Sequence, residues 1–148
     1  MRASLAVAVL ALAVAAFALV RTFDHTPRYS DAERIAATES ACAAFETVRT
    51  AVATNTNTEP PGGPGDIAGA LAAAANARVA LFDGGQYLLA RLDPATPDDV
   101  AADVRSFANQ LMDIGAAAMA GVPNTDPAQT ARLADAEATS AALRSRCG

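Results

Sequence analysis

Alanine occupies 40 of the 148 positions, and this excess limits what the chain can fold into. Alanine has the highest helix propensity of the amino acids, whereas strands favour β-branched and aromatic side chains. Aromatic residues make up only 5% of this sequence. The composition therefore predicts an all-α protein, and the length allows one main domain.

An uncharged apolar run extends from Ala3 to Val20, with Ser4 as its only polar member. At 1.5 Å per residue a helix over this run is about 27 Å long, close to the thickness of a bilayer's hydrocarbon core. Two interpretations stay open: an uncleaved transmembrane anchor, and a signal peptide cleaved at the small residues Ala16 and Ala18. We expect residues 1–23 to be this anchor or signal, residues 24–41 a linker and helical stalk, and residues 42–148 a helical bundle.

The chain has two cysteines, Cys42 and Cys147, which are 105 positions apart and lack the CxxC spacing of a zinc site. We expect them to form a disulfide, which would place the body on the extracytoplasmic side of the cytoplasmic membrane. The alternative after signal cleavage is a secreted protein. One observation opposes this placement: more arginines follow the apolar run than precede it, which favours a cytosolic body. The alternative to the disulfide is a pair of small buried thiols in a reducing compartment.

Start and stop signals predict four helices in the body. The first begins at the capping-box pattern Ser30-Asp31-Ala32-Glu33 and runs to about Thr54. The second begins after the N-cap Asp66 and continues to Leu92, with an interruption at Asp83-Gly84-Gly85 because glycine destabilises helices.

The third predicted helix begins at Thr96-Pro97, with Thr96 as its N-cap, and stops at Gly121. The fourth begins at Thr125 or Asp126 and ends at Cys147. Short loops between four helices predict an up-down-up-down bundle in which the first and fourth helices are neighbours. Pairing Cys42 with Cys147 then leaves residues 31–41, about 16 Å of helix, as an overhanging stalk.

Each predicted helix carries an apolar stripe at helical spacing. In the first helix the stripe is Ile35, Cys42, Phe45, Val48 and Val52; in the second it is Ile67, Leu71, Ala74 and Leu81. In the third it is Val100, Val104, Phe107, Leu111, Ile114 and Ala118; in the fourth it is Leu133, Ala136, Ser140 and Leu143.

The charged residues exclude several classes of function. All eleven basic residues are arginine and the single histidine is His25, so lysine Schiff bases, Walker-type phosphate loops and Ser-His-Asp triads in the body are ruled out. Asp99 and Asp103 share a helix face, but acids are typical of a helix's first turn. The body is acidic overall, which argues against nucleic acid as a partner. We therefore expect a protein that is not an enzyme and has no cofactor or metal.

A small hydrophobic pocket or docking patch is predicted near the interruption of the second helix. Its candidate residues are Tyr87, Leu88, Leu92 and Phe107, for which ordinary core packing is the alternative.

The alanine-rich apolar start, the lack of lysine, the lone cysteine pair and the stretches 85–97 and 120–127 resemble exported helical proteins of high-GC actinobacteria. That group has no assigned activity, so the resemblance implies a cell-envelope location and supplies no site residues. Our leading hypothesis is a single-pass, membrane-anchored accessory or scaffolding subunit of an envelope complex, with the membrane and another protein as partners. The alternative is a binding protein for an apolar small ligand or lipid held near Tyr87 and Phe107.

Overall fold

The computed structural model describes residues 11–19, 28–60, 62–63 and 65–148. These residues form five helices and no strand, which confirms the all-α class. The helices are α1 (residues 11–19), α2 (Asp31–Thr56), α3 (Ile67–Arg91), α4 (Asp98–Met119) and α5 (Pro127–Cys147). The chain divides into two units, residues 1–30 and residues 31–148.

Helix α1 and residues 28–30 are the described parts of the first unit, and all side chains of α1 are exposed. The predicted apolar run begins before it and ends after it, and those flanking positions, with His25, lie outside the described residues. In the described ranges, no helix reaches the length and apolarity required of a membrane span.

The second unit is a helical bundle in which α4 is the central helix. Eight residues of α4 are buried, more than in any other helix, and they include five of the six predicted stripe residues. Phe107 of α4 meets Phe45 of α2 edge to face, with ring centroids 5.4 Å apart. Leu88 of α3 and Leu143 of α5 are fully buried in the same core.

Helix α3 is continuous, so the predicted interruption at Gly84 and Gly85 is wrong. These glycines give the neighbouring helices room to approach. A Cβ on Gly84 would lie 2.9 Å from Cγ1 of Val48 in α2, and one on Gly85 would lie 2.6 Å from the carbonyl oxygen of Ala108 in α4. Close packing on two sides offsets the low helix propensity of glycine.

The corner between α4 and α5 follows the predicted signals closely. Gly121 has a φ of 84°, its N–H donates to the carbonyl of Ala118, and Val122 N–H donates to the carbonyl of Ala117, which is a Schellman motif. Asp126 caps α5 by accepting hydrogen bonds from the N–H groups of Ala128 and Gln129.

The predicted N-cap role of Thr96 is wrong. Helix α4 begins one residue later, with Pro97 in the cap position, and no side chain caps it. The hydroxyl of Thr96 is buried without a hydrogen-bond partner. Proline at the cap supplies the extended backbone conformation that precedes the helix, so the chain turns without a side-chain cap.

Exposure changes along residues 31–41, the segment expected to be a stalk. Residues 31–36 are exposed, but Ala37 and Ala41 are buried, and the compact unit begins at Asp31 rather than at residue 42. Ala95 and Thr96 are buried as well, so the connection between α3 and α4 is part of the packed unit.

Four residues of the predicted inward stripes are exposed: Ile35 in α2, Ile67 and Leu71 in α3, and Leu133 in α5. Gly84 lies against Val48, so in an antiparallel pair Thr56, the end of α2, is level with about position 76 of α3. The first two turns of α3 therefore extend beyond the end of α2, which explains why Ile67 and Leu71 remain exposed.

Candidate functional site

A cleft of about 570 Å³ lies between α2 and α5, with α3 and α4 contributing the rest of its lining. Most of its lining is apolar: Val52, Ala53, Ala74, Ala77, Leu81, Phe107, Leu111, Ile114, Ala118, Leu133 and Ala136. The polar lining residues are Arg49, Thr56, Asn57, Arg78, Asn124, Glu137, Ser140 and Arg144.

The cleft exists because α5 packs along α4 and barely meets α2. The buried residues of α5 are Gln129, Ala136 and Leu143, which recur every seventh position and make a narrow line of contact. Leu133, the other large apolar residue of α5, is 37% exposed and lines the cleft. The side chains of α5 therefore do not fill the gap between α5 and α2.

The disulfide between Cys42 and Cys147 joins α2 to α5 at one end of this gap, with the two Cα atoms 5.5 Å apart. The predicted pairing is confirmed. Along α2, the lining extends from about 10 Å beyond Cys42, at Arg49, to about 21 Å beyond it, at Thr56. The two walls of the cleft are thus tied at one end and separate toward the other.

Arg49 lies at the tied end and is held by Glu46. Its Nε donates to Oε2 of Glu46 at 2.9 Å, and a second guanidinium nitrogen contacts Oε1. The hydrogen bond from Arg49 lowers the pKa of Glu46, and the positive charge of Arg144 on the opposite wall lowers it further. Two arginines, one on each side of the gap, therefore favour the ionised form of this carboxylate.

The cleft lining is positive although the chain is negative. Arg49, Arg78 and Arg144 line it together with one acid, Glu137, whereas the whole chain has a formal net charge of −5. Neither Arg78 nor Arg144 forms a salt bridge within the described part of the chain. Unpaired guanidinium groups at an apolar cleft can donate hydrogen bonds to an anionic group.

The four residues of the predicted pocket do not form one surface. Leu88 and Phe107 are core residues, and Leu92 is half-buried against the same core. Tyr87 is exposed, and the guanidinium carbon of Arg91 lies 5.0 Å from its ring centroid. Of the four, only Phe107 lines the cleft.

Asp99 and Asp103 are brought together, as their spacing predicts, but their partner is Arg146. The carboxylates of Asp99 and Asp103 each accept a hydrogen bond of 2.6 Å from the guanidinium group of Arg146. The hydrogen bond with Asp103 is the largest cause of the raised pKa of Arg146. The cluster ties the end of α5 to the start of α4, next to the disulfide. No group of acids, histidines or cysteines suited to a metal ion occurs among the described residues.

The arginines of the cleft and Leu133 were not recognised as site residues from the sequence. Two signals point to them in retrospect. Arg78 interrupts an otherwise apolar or alanine-rich half of α3, and α5 has one large apolar residue in its first half, too few for a sealed contact. Locating the cleft itself required the helix packing.

Comparison of the chain with family models, curated proteins and solved structures found no match.

Proposed function

We propose that this protein binds an apolar small molecule or lipid chain in the cleft between α2 and α5. The observation that carries the proposal is the cleft of about 570 Å³ with its largely apolar lining. Pockets for small ligands commonly have volumes of about 300–1,000 Å³ and apolar walls with a few polar groups. The cleft has both properties.

The energetics favour occupation of this cleft. Leu133 remains partly exposed at its wall, and Val52 is only half-buried. Covering apolar surface gains about 25 cal/mol for each Å² removed from water. A bundle with a purely structural role would gain the same energy by closing α5 onto α2, yet α5 packs mainly on α4 and makes little contact with α2.

The test is photo-crosslinking of the full-length chain with a fatty acid that carries a diazirine in its acyl chain. Mass spectrometry of the digested protein then identifies the labelled residues. We expect labelling at the cleft, on peptides containing Val52, Leu81 or Leu133. Labelling that falls only outside the cleft, or none at all, would contradict the proposal.

We further propose that the bundle is tethered to the cytoplasmic membrane and faces the extracytoplasmic side. The uncharged run from Ala3 to Val20 supports the tether, and the disulfide supports an oxidising compartment. Intact-mass measurement of membrane-derived protein, alkylated with and without reductant, tests both points. We expect an uncleaved chain that alkylates only after reduction, whereas free thiols would contradict the placement.

The role of accessory subunit in an envelope complex stays a prediction from the sequence. Copurification from detergent would test it, since a monodisperse monomer without a stoichiometric partner would count against it.

A further inference from the structure

We infer that the ligand of this cleft is an amphipathic anion, a single acyl chain ending in a carboxylate or phosphate group, with Arg144 and Arg49 binding that group at the disulfide end. This inference rests on the proposed binding function and names its ligand class. Its physical basis is the distribution of charge along the cleft.

The disulfide end carries the excess of positive charge. Arg144 lies three positions before Cys147 and lines the cleft from α5, while Arg49 lines it from α2. Glu46 occupies only one of these two guanidinium groups. Ser140, one helical turn before Arg144, places a hydroxyl donor on the same wall.

The other end does not carry this excess. Arg78 lies six positions before Gly84, about 9 Å along α3, and Gly84 contacts Val48 beside Arg49. Glu137 is ten positions before Cys147, about 15 Å along α5, and also lines the cleft, so this part of the lining holds one arginine and one acid. The acyl chain therefore extends from the disulfide end toward the apolar residues Ile114, Ala118 and Leu133.

Glu46 competes with the ligand in this arrangement, because it accepts both hydrogen bonds from Arg49. Removing its charge frees a second guanidinium group for the anion. Removing Arg144 takes away one guanidinium group and should weaken binding of the anion. Opposite effects from two neighbouring exposed residues are not expected if both act only on the stability of the fold.

The experiment uses a fatty alcohol with a diazirine in its chain as an uncharged crosslinking probe. Its competitors are unlabelled dodecanoate and dodecanol, which has the same chain length and no charge. In the full-length protein we expect Arg144→Gln to weaken competition by dodecanoate about tenfold, the value of one charge-assisted hydrogen bond. Glu46→Gln should strengthen it about threefold, and added salt should weaken it in the wild type. Neither substitution should change competition by dodecanol.

Arg105→Gln, on α4 and outside the cleft lining, is the control for loss of a positive charge. Arg78→Gln tests the position of the anionic group, and a smaller effect than that of Arg144→Gln is expected. Equal competition by acid and alcohol in all variants would overturn the inference and leave the proposed function intact. Absence of crosslinking in the cleft would overturn the proposed function itself. Melting temperatures of the variants show whether each remains folded.

Discussion

At the scale of single residues, the smallest side chains decide how closely the helices approach. Gly85 is buried where α3 crosses α4, and the position its Cβ would take lies 2.6 Å from both the carbonyl oxygen of Ala108 and Cγ of Met112. Gly115, on the facing side of α4, has more room, since its nearest neighbour is Cβ of Leu81 at 3.4 Å. A side chain is therefore excluded at Gly85, whereas Gly115 has room for a methyl group.

Gly85→Ala should destabilise the protein, because the new methyl group meets backbone that cannot move aside. Overpacking of this kind costs about 1–3 kcal/mol, which exceeds the gain of about 0.5–1 kcal/mol from replacing glycine in a helix. Gly115→Ala is the matched control and should be neutral or stabilising. Urea unfolding measures both changes, and a stable Gly85→Ala variant would show that the helices can separate without cost.

At the scale of helices, α5 depends on its ends because only one narrow face of it packs, mainly against α4. Asp126 fixes the start of α5, and Gln129 is fully buried with its amide donating to the carbonyl of Ile114 at 3.2 Å. Arg146 and Cys147 fix the other end. The middle of α5 is left as one wall of the cleft.

Asp126→Ala should cost about 0.5–2 kcal/mol, since two backbone N–H groups lose their acceptor. Thr96→Val should cost little or stabilise, because the buried hydroxyl of Thr96 has no partner to lose. The free energy of unfolding separates the two cases. A cost for Thr96→Val as large as that of Asp126→Ala would mean that Thr96 does cap α4.

The helices and most of their ends could be predicted from the sequence because caps, proline and helical spacing are local signals. The buried face of α4 could also be predicted from the sequence, since its stripe consists mostly of large apolar residues. Gly84 and Gly85 were misread because the same residue serves as a helix breaker and as a site of close contact. The cleft could not be predicted, since a gap depends on the mutual register and separation of four helices.

At the scale of the whole bundle, the disulfide joins two helices that otherwise scarcely meet. The two cysteines are 105 positions apart in the sequence, so the disulfide closes a long loop of the unfolded chain. The loop-entropy model assigns about 4–5 kcal/mol to a bridge of this span. The bridge also sets the distance between the cleft walls at their tied end.

The double variant Cys42→Ser with Cys147→Ser should therefore lose about 4–5 kcal/mol in the free energy of unfolding. Wild-type protein under reducing conditions should show a similar loss. Arg146→Gln, which removes the neighbouring ion pairs but keeps the disulfide, should lose less because those pairs are exposed. Unchanged stability without the disulfide would show that the bundle holds α5 by other means.

Binding in the cleft is tested most directly by two alanine-to-phenylalanine substitutions in the same helix. Ala77 is half-buried and lines the cleft, whereas Ala72 is exposed and lies outside its lining. Native mass spectrometry of the full-length chain with dodecanoate counts the molecules bound to each folded variant. We predict one saturable dodecanoate on the wild type and on Ala72→Phe, and none on Ala77→Phe because its ring fills the cleft. Equal binding by all three proteins would contradict a ligand site between α2 and α5.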